Sequence, residues 1–86
     1  MTIADAIYDC KAAAAEALAE TNSKEAAALA YRSNMPQLDS LASARLLVGC
    51  VSAGLAARYI SQREANLFMQ GVSLWLMLEK GKQVAA

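Results

Sequence analysis

Apolar side chains recur at spacings of three and four along nearly the whole chain, a pattern that predicts helices and no strands. From Ile3 to Glu20, at ~100° per residue, Ile3, Ile7, Cys10, Ala14, Ala17 and Leu18 share one side. Asp5, Asp9, Glu16 and Glu20 form an acidic ridge opposite. Thr2 with Asp5 three positions later makes an N-terminal capping box, so the first helix is expected over about 3–20. In "TNSKEAA", 21–27, Thr21, Asn22 and Ser23 are all N-cap types, and Glu25 follows Asn22 by three. The pattern predicts a break there and a short second helix over about 23–32.

"SNMPQLDS" is the clearest loop signal in the chain. Pro36 biases Met35 away from helical geometry and is itself suited to a first helical turn, so a loop over 33–36 and a third helix over about 37–58 are expected. Leu41, Val48, Val51, Leu55 and Tyr59 line one stripe of that helix, with Leu47, Cys50, Gly54 and Ala57 beside it. In "YISQRE", Ser61 is an N-cap, Glu64 completes a capping box and Ile60 precedes the cap where it can pack as a staple on Ala65. The fourth helix, about 62–80, is polar only along a thin strip of Arg63, Asn66, Gln70, Ser73 and Lys80, with Met77 on the same line. A helix with so narrow a polar side is buried on most of its circumference or meets a second chain. Gly81 suits a C-cap, and "KQVAA" beyond it should fray. The expectation is an all-α fold, a single domain over 1–86. It is a small bundle of three to four helices, the last two forming an antiparallel hairpin with the first packed across it.

Composition narrows this further. The chain has 86 residues and is 57% hydrophobic, yet 20 residues are alanine, which favours helix and buries little area. A core this small commonly leans on a disulfide, a metal or a partner subunit. Formal charge is zero, but residues 1–43 carry three bases against six acids and residues 44–86 five bases against two acids. That polarity can be neutralised within one molecule or between subunits, and a nucleic-acid binder would carry more excess positive charge. Cys10 and Cys50 stand 40 positions apart with no CxxC and no histidine, a spacing of no zinc or redox motif. They are expected as free, buried thiols in a reducing cytoplasm.

The same inventory weighs against catalysis. Without histidine, the commonest general base and metal ligand are missing. The pairs Asp5–Asp9 and Glu16–Glu20 lie opposite the apolar side, as a solvated face would, rather than inward as di-iron carboxylates do. No catalytic residue, metal site or cofactor is expected. The N-terminus lacks the pattern of a secretory leader. The uncharged stretches, 46–57 and 65–78, fall short of the ~20 apolar residues a membrane span requires.

"LAARYISQREANLF", 55–68, resembles the middle of a helix-turn-helix DNA-binding motif. The resemblance covers about 14 residues, with Tyr59 where a glycine is typical, and implies that Ser61, Gln62, Arg63 and Asn66 would face phosphates or base edges. Against it stand the zero net charge and the core-like continuation "VSLWLMLEKG". The leading expectation is therefore a non-enzymatic interaction or regulatory protein, an adaptor or inhibitor of a larger partner of the sort phages and mobile elements often carry. Its partner would be a second copy, an unidentified protein, or both, with DNA the alternative and no membrane. Leu67, Phe68, Val72, Leu74, Trp75 and Leu78 are the candidate interface, Trp75 its anchor, because they exceed what two alanine-rich helices can cover.

Overall fold

The computed structural model describes the backbone of residues 1–85 and the side chains of residues 1–81. Four helices follow one another: α1 (Ile3–Thr21), α2 (Lys24–Ser33), α3 (Leu41–Ala56) and α4 (Gln62–Ala85). Each start has a side-chain cap. In α1 the Thr2 hydroxyl accepts from the Asp5 amide at 3.1 Å while the Asp5 carboxylate accepts from the Thr2 amide, as the pattern predicted. α1 ends at Asn22, which adopts the left-handed conformation (φ 53°) and donates its amide to the Leu18 carbonyl. Ser23 then caps α2 by accepting from the Ala26 amide.

α3 begins at Leu41 and ends at Ala56, shorter at both ends than the 37–58 expected. Pro36 lies in the preceding loop. The start is set instead by a capping box of two serines, in which Ser40 accepts from the Ser43 amide and Ser43 accepts from the Ser40 amide. At the other end Arg58 turns left-handed (φ 67°), the Tyr59 amide donates to the Gly54 carbonyl at 2.8 Å, and the Arg58 amide donates to Leu55. This is a Schellman stop with an arginine where glycine is the usual choice. α4 does not end at Lys80: its backbone stays helical to Ala85, and Gly81 does not take the positive φ of a C-cap. The fraying expected from residue 82 onward is not found over 82–85, where the backbone is helical, and Ala86 lies outside the described residues.

α1 packs against α2 and α3, and α3 packs against α4. The last two helices form the expected antiparallel hairpin, since Leu41 at the start of α3 and Leu76 far along α4 line the same groove. The core gathers Ala6, Cys10 and Ala14 from α1, Ala27 and Tyr31 from α2, and Leu47, Cys50 and Val51 from α3. Ile60, Ala65 and Val72 complete it. Its helices approach closely because the meeting residues are small. A Cβ on Gly54 would lie 2.7 Å from both the Tyr31 ring and Ile60, so only glycine fits. Tyr31 is fully buried, donates its hydroxyl to the Cys50 carbonyl at 2.6 Å and stacks on Tyr59 at 5.1 Å. Arg32 pairs with Glu64 at 3.2 Å, tying α2 to the first turn of α4.

Candidate interaction surface

α4 is longer than the helix it packs on. The 16 residues of α3 span ~24 Å and the 24 of α4 ~36 Å. Because Leu76 already reaches the level of Leu41, the rest of α4 projects beyond its packing partner. The molecule is correspondingly long, 51 × 27 × 16 Å, with a radius of gyration of 14.2 Å against ~12 Å for a compact chain of this length.

Around α4 the apolar residues divide into two faces. Ala65 and Val72 are buried towards α3, Phe68 packs on the core, and Leu76 lines the groove with Leu41 and Val48. About opposite, at ~100° per residue, Leu67, Gly71, Leu74, Leu78 and Gly81 follow each other at spacings of four and three. The three leucines are 59%, 61% and 67% exposed. The two glycines have nothing within 4 Å of where a Cβ would stand, although alanine there would favour the helix by ~0.5–1 kcal/mol. No contact within the monomer accounts for them.

Of the six candidate interface residues, then, Leu67, Leu74 and Leu78 lie together on this outer strip. Val72 is core and Phe68 leans on it. Trp75 is half-buried at the border between the two faces. The strip itself is a leucine and glycine seam that tracks a heptad spacing. The sequence carries that signal in the 67, 71, 74, 78, 81 spacing, beside the polar strip of the same helix.

The acidic ridge is exposed throughout, at Asp5, Asp9, Glu16 and Glu20. Asp5 has a local task in the α1 cap, and its hydrogen bonds with the Thr2 backbone and hydroxyl hold its carboxyl below the usual range. The four residues of the DNA-contact alternative all lie at the start of α4, and three have partners inside the chain. Ser61 accepts from the Glu64 amide, and the Gln62 side chain donates to Asn66 at 3.1 Å. Arg63 is exposed. The Glu64 carboxylate sits among them, held below its ordinary pKa by the Ser61 backbone and hydroxyl, and also by Arg32.

Two hollows accompany these faces. A depression of about 580 Å³ is lined only by α4 residues, among them Asn66, Gln70 and Leu74, and is the flank of a bare helix. An apolar groove of about 460 Å³ runs between α3 and α4 and is also lined by Ile3 of α1. Among the described residues no three His, Cys, Asp or Glu side chains are grouped to hold a metal, and no helix is long and apolar enough to cross a membrane. No protein-family model, curated protein or solved structure matches this chain.

Proposed function

We propose that this chain is a non-enzymatic interaction protein whose working surface is the outer strip of α4, and that this strip pairs with the same strip of a second copy. The observation that carries the reading is the exposure of Leu67, Leu74 and Leu78 along one strip of α4, Leu74 and Leu78 turned away from its own core and Leu67 at the rim of a groove shared with Met35, Leu38 and Leu47. Two further facts support a second copy as the occupant. An antiparallel pairing about Leu74 brings Leu67 of one copy against Gly81 of the other, and Leu78 against Gly71, to within one residue. Leu67 and Leu78 then each meet a position without a side chain, in both directions, while Leu74 packs on its own symmetry mate at the axis, as a two-fold interface allows. The chain also exposes 5908 Å², ~1,000 Å² more than a compact 9.1 kDa monomer, while a stable interface takes ~800 Å² from each partner. Such a dimer displays two acidic ridges, a duplicated surface of the kind an adaptor or inhibitor offers a larger basic partner.

Light scattering over a concentration series tests this. Wild type is expected to dimerise with a Kd of ~100 µM or tighter. Leu74→Asp is expected to be monomeric with its helical circular dichroism unchanged. Gly71→Leu, which fills the space that Leu78 of the other copy would take, should weaken the dimer at least ~tenfold, while Arg63→Ala leaves it intact. The half-buried Trp75, the only tryptophan, reports the same event through a blue shift of emission with concentration. A wild type that stays monomeric overturns the pairing. Retention on DNA that falls steeply with salt and disappears in Arg63→Ala would replace it with the DNA-binding reading.

A further inference from the structure

Cys10 and Cys50, distant in sequence, meet at the centre of the molecule. Their Sγ atoms are 3.9 Å apart, and neither residue is accessible to solvent. The crossing of α1 over α3 that brings them together is tight on either side of the pair: Ile3 occupies the place a Cβ on Gly49 would need, and Ala6 and Ala14 are buried flanking Cys10. A disulfide requires sulfurs ~2.0 Å apart, so ~2 Å of closure separates the thiol pair from a covalent bond.

We propose that Cys10 and Cys50 form a reversible intramolecular disulfide that locks α1 onto α3. The oxidant is a small-molecule disulfide such as oxidised glutathione. One cysteine thiolate attacks a sulfur of the oxidant, forming a mixed disulfide and releasing one glutathione thiolate. The second cysteine thiolate then attacks the protein sulfur of that mixed disulfide and expels the other glutathione. The two protons the cysteines give up are taken by the two glutathione thiolates. The protein pair loses two electrons and the oxidant gains them.

Burial decides when this happens. Desolvation, with the neighbouring Cys50 adding to it, pushes the Cys10 thiol up to about 12, and desolvation raises Cys50 as well. In the closed core both sulfurs are therefore protonated and unreactive, and a glutathione adduct has no room. Exchange proceeds when α1 lifts from α3, and reclosing aligns the sulfurs for the second step. Because the fold holds the sulfurs together, it favours the bond, and by linkage the bond favours the fold. This inference is independent of pairing through α4.

The test equilibrates the wild-type chain with a glutathione redox buffer, once in native conditions and once in concentrated urea. Acid quenching, alkylation and mass spectrometry then count the thiols. The native chain is expected to form the intramolecular disulfide with an equilibrium constant at least ~tenfold above that of the unfolded chain. The oxidised protein should melt roughly 10 °C higher than the reduced one, reversibly with dithiothreitol. Cys10→Ala should show neither the disulfide nor the shift. An equal or smaller constant in the native state, a product dominated by glutathione adducts or cross-linked chains, or the same melting shift in Cys10→Ala overturns the proposal.

Discussion

Ile60 and Leu78 are side chains of equal size on the same hairpin, yet Ile60 is 2% exposed and Leu78 is 67% exposed. Ile60 sits under the turn between α3 and α4, against Gly54 and in the same buried cluster as Tyr31. Leu78 stands on the side of α4 turned away from α3. The contrast extends to both regions. The centre buries alanine, cysteine and glycine, which permit close helix approach but remove little apolar area from water, while α4 keeps its leucines and methionines outside. A chain built this way has a modest core and a large unspent apolar surface. Under the proposed pairing its stability would rise with its own concentration.

Three measurements break or sharpen the comparison. Ile60→Ala removes a side chain with no room for its surroundings to collapse and is expected to cost ~2–5 kcal/mol in urea unfolding. A loss below ~1 kcal/mol would mean the centre is not the principal core. The second measurement is stability against pH on the alkaline side. The Cys10 and Cys50 thiols and the Tyr31 hydroxyl are all raised by burial, so the fold holds them neutral while the unfolded chain ionises first. Their contribution is whole below the unfolded thiol value near 9 and falls as pH rises towards about 12 for Cys10. The loss should reach ~1–2 kcal/mol for the Cys10 thiol near pH 10, with Cys50 acting in the same direction. Cys10→Ala should flatten that slope, and an unchanged slope would contradict it. The smallest effect is expected for Leu78→Ala. In dilute solution it should change monomer stability by less than ~0.5 kcal/mol, although the same deletion in a core costs several times more. A larger loss would show that Leu78 is covered within its own chain.

Much of the architecture was legible in the sequence where a side chain signals its own backbone. Thr2 with Asp5 and Ser61 with Glu64 are capping boxes in both the pattern and the structure, and the break after α1 falls where the pattern placed it, although Asn22 is the left-handed C-cap of α1 rather than an N-cap paired with Glu25, and Ser23 caps α2. The start of α3 was misplaced because Ser43 occupies the position where an acid is the familiar sign, and Pro36 offered an apparent helix start four residues before the true cap. Gly81 misled in the same way, as a helix can carry glycine in ordinary helical geometry when nothing forces it to stop. Long-range meetings were beyond reach. The 3.9 Å approach of Cys10 and Cys50, the burial of Tyr31 and the Arg32–Glu64 pair depend on how helices cross, and periodicity within one helix does not encode that. Of the interface candidates, Leu67, Leu74 and Leu78 share the outer strip while Val72 faces the core, since a helix apolar on two sides gives no sign of which side its own chain will cover.

Tyr31, Gly54 and Ile60 come from two helices and a turn, yet they occupy one volume: the ring edge and the isoleucine fill the space that Gly54 leaves empty, and the ring hydroxyl reaches on to the Cys50 carbonyl. None can change size alone. Across any set of descendants of this chain the three positions are therefore expected to vary together or not at all, while exposed positions with no assigned task, such as Lys11 and Lys24, drift freely in identity so long as they stay polar. The substitution record would then show a locked trio inside a permissive shell.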